Sequence, residues 1–154
     1  MSRPVPSHLD TIVRYYDGCS RGDIAMMTDT LHPDVAHYFL EVNPGSAPIE
    51  GAGVLAEYWR RIQAQIDGHW IVDHVVSDGS GEAVVEWSLY WRRDAESPRV
   101  VTRGAEWFAF SDGLIREIRS YYQQRETTTE LDAFDYPGRG YSVPGAERSG
   151  IHRG

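Results

Sequence analysis

The sequence predicts an α+β fold: a curved, cone-shaped antiparallel or mixed sheet packed against three N-terminal helices, in the order α-α-β-α-β-β-β-β. Three observations predict it. Apolar residues recur at helical spacing in early segments. Period-two alternation dominates between residues 69 and 123. Tight turns rich in Asp, Gly and Ser separate those later strands, which makes them antiparallel neighbours.

Residues 7–20 read as the first helix. Ser7 can N-cap it, with Asp10 at the capping-box position. Leu9, Ile12, Val13, Tyr16 and Cys19 share one face, and Gly22 stands where a left-handed C-cap belongs. Asp23 caps a second helix over 24–31, bearing Met26, Met27 and Leu31, and His32-Pro33 stops it. Residues 35–40 read as a strand and 41–53 as a loop. The third helix covers 54–67, where Leu55, Tyr58, Trp59, Ile62 and Ile66 form a stripe that Gly68 closes. Strands follow at 69–77, 82–92, 99–110 and 114–123. In the second of these, Val85, Trp87, Leu89 and Trp91 alternate with Val84, Glu86, Ser88 and Tyr90. Residues 125–154 carry no sustained period. They read as an extended tail beyond a domain at 7–124, and Phe134, Tyr136 and Tyr141 would let it dock on the body or on a partner.

Composition excludes several classes. The 154 residues amount to one domain. Apolar residues at 41% and charged residues at 25% exclude a disordered or collagen-like chain. The net charge of −8 disfavours nucleic acid and anionic lipid as partners. No apolar run is long enough for a membrane span, and the start lacks a signal-peptide core, so a cytoplasmic protein is expected. Cys19 is the single cysteine, which leaves no internal disulfide. All 15 basic residues are arginine. Without lysine there is no Schiff base and no phosphate-loop lysine. Histidine and acidic residues fit no standard zinc spacing, so no metal is expected.

Four segments carry a resemblance. They are Ile12-Val-Arg-Tyr-Tyr-Asp-Gly-Cys-Ser-Arg-Gly-Asp23, Leu31-His-Pro-Asp-Val35, Arg103-Gly-Ala-Glu-Trp-Phe-Ala-Phe110 and Asp112-Gly-Leu-Ile-Arg-Glu-Ile-Arg-Ser-Tyr-Tyr122. Over roughly residues 8–124 the chain resembles the SnoaL-like branch of the NTF2-like superfamily, which holds polyketide cyclases, ketosteroid isomerases, scytalone dehydratase and limonene epoxide hydrolase. The resemblance implies a pocket between helices and sheet, a homodimer, and acid–base chemistry without a cofactor. It implies a hydrophobic, polyketide-like or steroid-like small molecule as substrate.

Glu106 is the leading catalytic candidate. It shares a strand face with Phe108 and Phe110, and a carboxylate among aromatics suits proton transfer. The competing reading pairs it outward with Arg103 or Arg116. Tyr15 matches the helix-1 tyrosine that donates to the oxyanion in ketosteroid isomerases; Tyr16 follows the apolar stripe and reads as core. His37 lies near where those isomerases place a general-base aspartate, and could serve instead. His69 resembles a catalytic histidine of scytalone dehydratase, with Asp73 on the same strand face to orient it. Ser120 stands where the epoxide hydrolase relay needs an aspartate, which disfavours that reaction. Trp59, Trp87, Phe108 and Tyr122 are expected pocket walls. A homodimer is expected through the outer sheet face at Val84, Glu86, Ser88 and Tyr90. The alternative to an enzyme is a non-catalytic module that holds a ligand or a protein partner.

Overall fold

The computed structural model describes residues 6–125 and 128–151. The stretch 1–5, on which the expectation of no leader rests, lies outside the described residues. So do residues 152–154 of the tail.

Helix α1 (His8–Arg21) begins where the Ser7 hydroxyl accepts from the Asp10 amide at 3.1 Å. It ends at Gly22, whose φ of 62° is strained for residues with a side chain. Helix α2 (Ile24–Thr28) is shorter than its apolar spacing predicts. Leu31 belongs to a strand instead: β1 runs Leu31–Tyr38 and lies parallel to the last strand, with Leu31 opposite Ile115. Sheet pairing outbids one more helical turn, because it buries Leu31 fully. A two-residue strand, β2 (Ile49–Glu50), pairs with Ala36 and His37 inside the expected loop. Two residues are too few to leave a period in sequence.

Helix α3 (Ala52–Ile66) closes on Asp67 rather than Gly68, with φ at 50°. Aspartate tolerates this conformation better than most residues. Its carboxylate is also held by Arg92 at 3.0 Å and Arg99 at 3.3 Å. Strands β3 (His69–Ser77), β4 (Glu82–Trp91), β5 (Val100–Ser111) and β6 (Leu114–Tyr121) form a meander. The sheet order is β2-β1-β6-β5-β4-β3, with β1–β6 the parallel pair. The sheet is therefore mixed, within the predicted α+β class.

The helices cover one face of the sheet. Ile12, Met27 and Leu55 pack with Val72, Val85, Phe108 and Ile118, all buried. Each such side chain contributes about 1.5–3 kcal/mol on burial. The opposite face carries the tail. Ile71, Tyr90 and Val101 form a small second core there. Arg103 is the fastener: its guanidinium donates to Glu130 at 2.7 Å, to Ser88 at 2.8 Å and to the Ser142 carbonyl at 3.0 Å, and it stacks 3.8 Å over Tyr136.

The tail covers part of the face expected to dimerise. Ser88 and Tyr90 are buried under the chain's own tail, where the Tyr90 hydroxyl donates to Ser142 at 3.0 Å. Tyr141 reaches back to Glu86 at 2.7 Å. The tail carries the aromatic and serine partners that this face needs, so much of the face is closed to a second subunit. Among the described residues, no helix is long and apolar enough to cross a membrane.

Candidate active site

Helices α1 and α3 and the inner sheet face surround a cavity of about 140 Å³. Tyr15, Tyr16, His37 and Glu106 are buried in its lining, and exposed Gln65 and Gln124 mark its rim.

Three adjacent strands place the polar groups. Glu106 on β5 lies opposite Ser120 on β6, and His37 on the neighbouring β1 lies opposite Ile118. A bulge decides the first pairing. Near the turn, Phe110 pairs with Ile115, and continued without interruption that register sets Glu106 against Arg119. The register instead shifts by one residue between Ala109 and Phe110. One extra residue on β6 turns Ser120 inward.

The result is a connected chain. Tyr16 donates to Glu106 Oε1 in a short hydrogen bond. Ser120 donates to Glu106 Oε2 at 2.7 Å. His37 Nε2 lies 2.6 Å from the Ser120 oxygen and 3.4 Å from Glu106 Oε2. Ser120 has one proton and gives it to Glu106, so its oxygen accepts from His37 Nε2–H. A neutral His37 then carries its lone pair on Nδ1. That atom is buried and has no hydrogen-bond partner among the described residues. Phe39 stacks on the imidazole at 4.2 Å and fixes its plane.

Burial pushes the Tyr15 phenol well above its ordinary range, helped by nearby Cys19 and by the Glu106 charge. Burial does the same to Tyr16, and Glu106 adds to it. Both therefore remain protonated donors at neutral pH. Tyr15 Oη, Trp59 Nε1 and Trp87 Nε1 are buried without hydrogen-bond partners. Gly104 makes room for Trp87: a Cβ there would come within 2.7 Å of both the Trp87 ring and Tyr122. Trp87 and Tyr122 meet edge to face at 5.2 Å.

Of the expected wall residues, Trp59, Trp87 and Tyr122 line the cavity. Phe108 does not. It is fully buried between Tyr15 and Tyr16, with ring centroids 6.4 and 6.1 Å away, because the α1 tyrosines stand between it and the cavity. Glu106, His37 and Tyr15 all line the cavity.

Asp73 and His69 do not. They lie outside the cavity lining, and Asp73 joins the cluster on the tail side. Asp73 accepts from the Ser142 amide at 2.7 Å and from Ser88, and lies 3.6 Å from Arg103. Strand alternation puts both on the face opposite Trp70 and Val72. Two members of the cavity network were missed from sequence. Tyr16 passes for core because it lies on the apolar stripe. Ser120 is set inward by a bulge that no local pattern announces.

The SnoaL-like domain family model matches residues 12–118. No curated protein matches the chain. Among solved structures, a protein of unknown function with a cystatin-like fold from Methylobium petroleophilum is 36% identical. The alignment covers 91% of this chain and 95% of that one, with a TM-score of 0.67. A candidate polyketide cyclase from Xanthomonas campestris is 24% identical over 73% of this chain and 87% of its own, with a TM-score of 0.61. An NTF2-like protein of unknown function from Cytophaga hutchinsonii shares 8% identity over 79% and 94%, with a TM-score of 0.60. The chain belongs to the SnoaL-like family, with the NTF2-like fold.

Proposed function

From that membership, we propose that the protein is a small enzyme that moves protons on a hydrophobic cyclic molecule by general acid–base catalysis, without a cofactor. The observation that carries this reading is the Glu106–Ser120–His37 chain, which ends on an unpartnered Nδ1 in a residue lining the cavity. His37 Nδ1 takes a proton from a carbon beside a substrate carbonyl. The C–H electron pair moves onto the carbonyl oxygen as an enolate. Tyr15 donates to that oxygen as its charge develops. The imidazolium formed on His37 is held by Ser120 and by the Glu106 charge 3.4 Å away. Glu106 positions and balances the base, and the net charge of the site is unchanged by the transfer. Isomerisation, cyclisation and dehydration share this step and differ in where the proton returns.

The test is exchange of the acidic C–H of cyclic ketones, from one ring to four, followed by proton NMR in D2O. The wild-type protein accelerates exchange on at least one of them. Glu106→Gln keeps the shape and lowers the rate by about 10²–10⁴-fold. Full exchange by that variant would overturn the role of Glu106.

A ligand-holding module without chemistry is the second reading. One observation favours it: both Glu106 oxygens already accept hydrogen bonds from the protein. Binding of a cyclic ketone with no exchange above the uncatalysed rate decides for it.

A further inference from the structure

We infer that the pocket selects an uncharged, single-ring compound bearing a hydrogen-bond-accepting oxygen, and that the indole N–H groups of Trp59 and Trp87 recognise that compound's acceptors. The direction in which the ring presents its acidic hydrogen rests on the acid–base reading above. The size, charge and polarity of the ligand do not.

Size comes from the cavity. It measures about 140 Å³. A protein cavity of about 150 Å³ takes one benzene ring. A fused four-ring skeleton exceeds such a space and would have to project past the rim at Gln65 and Gln124, which favours a single ring over the steroid-like half of the expectation.

Charge comes from the lining. Among the described residues no arginine lines the cavity, and Glu106 already stands in its wall. An anion would meet that carboxylate with no fixed cation to offset it. A cation would find aromatic faces and a carboxylate, but it brings no acceptor.

Polarity comes from the unpartnered groups. Trp59 Nε1, Trp87 Nε1 and Tyr15 Oη are all buried without partners. An indole N–H can only donate. Buried donors in native proteins are nearly always paired, and three such donors around one cavity call for acceptors that arrive with a ligand. Trp59 stands on α3 and lines the same cavity as Tyr15 on α1. One ligand oxygen can therefore accept from both. His37 is also a neighbour of Trp59, with ring centroids 5.6 Å apart. An oxygen held at Trp59 and Tyr15 thus sets the adjoining ring carbon toward His37. Trp87 supplies a further donor from the sheet side of the cavity, braced by Tyr122.

The experiment is a ligand-observed NMR titration of the full chain. The probes are 2-cyclohexenone, cyclohexene, benzoate, benzyltrimethylammonium and a four-ring steroid enone. The cyclohexenone binds with a dissociation constant in the millimolar range or tighter, and each other probe binds at least about ten-fold more weakly. Cyclohexene keeps the ring and lacks the oxygen, so this comparison needs no variant. Trp59→Phe and Trp87→Phe keep the aromatic wall and lose the donor. With folding checked by circular dichroism, each weakens cyclohexenone binding about five- to thirty-fold. Tightest binding of benzoate, the ammonium or the steroid overturns the inference, as does equal binding of cyclohexene. The two proposals fail separately. Cyclohexenone that binds as expected, with no exchange on any of the cyclic ketones, sinks the enzyme and leaves this inference standing. Exchange on a steroid enone with no cyclohexenone binding does the reverse.

Discussion

The sheet carries one buried carboxylate on each face, and each has a serine on the next strand. Inside, Glu106 accepts from Ser120 and Tyr16, and its nearest basic group is His37. Outside, Asp73 accepts from Ser88 and the Ser142 amide, and its nearest basic group is Arg103. The parts are almost the same, but the basic partner differs. Arginine is a fixed cation with a fork of donors, and Arg103 uses them to clasp the tail to the sheet. A neutral imidazole has one donor and one acceptor, and with its donor given to Ser120 the inner cluster keeps an acceptor free at His37 Nδ1. The polar accounts differ too. Arg103 uses its nitrogens on Glu130, Ser88 and Ser142, whereas the inner site leaves His37 Nδ1, Tyr15 Oη and two indoles unpartnered. A saturated cluster stabilises; an unsaturated one is ready for a ligand.

The sharpest way to break this contrast is Arg103→Met. It leaves Asp73 buried without its cation and frees Glu130 from the clasp. Stability in urea should fall by about 3–5 kcal/mol, and protease should cut the tail first. An undisturbed tail would mean that the outer cluster is not its fastener.

The paired serines come next. Ser88→Ala should cost about 1–3 kcal/mol in the same unfolding experiment and leave proton exchange unchanged. Ser120→Ala should cost a similar amount and also lower exchange by at least about ten-fold, because it uncouples His37 from Glu106. Identical behaviour of the two variants would erase the distinction between the faces.

The smallest effect is in pH. Tyr15 and Tyr16 are raised in the folded protein, chiefly by burial. In the unfolded chain they ionise near about 10. Above that value the native state keeps protons that the unfolded state has lost. Stability from these groups is therefore intact below about pH 10 and falls as pH rises beyond it. Unfolding in urea at about pH 9 and about pH 11 measures the drop. Absorbance at the phenolate band should show the two buried tyrosines ionising only with unfolding. Ionisation near pH 10 in the folded protein would mean that these phenols are reached by water.

Much of the fold is legible in local pattern. The α1 cap at Ser7 and Gly22 follows from residue type alone, and the meander from β3 to β6 follows from alternation and turn chemistry. The end of α2 was not legible, since Leu31 fits a helical stripe as well as a strand. The site divides the same way. Glu106 and His37 sit on strand faces that period two assigns correctly. Asp73 and His69 obey the same period but lie on the face away from the cavity, and alternation cannot say which face looks at the helices.

The sequence by itself determined most of the elements, the absence of lysine chemistry and which residues share a strand face with Glu106, because these depend on neighbours along the chain. The tertiary structure decided the rest. A one-residue bulge on β6 chose Ser120 over Arg119 as the partner of Glu106. The parallel contact of β1 with β6 brought His37 within 2.6 Å of that serine. The tail's docking buried Ser88 and Tyr90 on the outer face. Each of these depends on register between segments far apart in sequence. A shift of one residue in register exchanges the two faces of a strand without changing any local pattern.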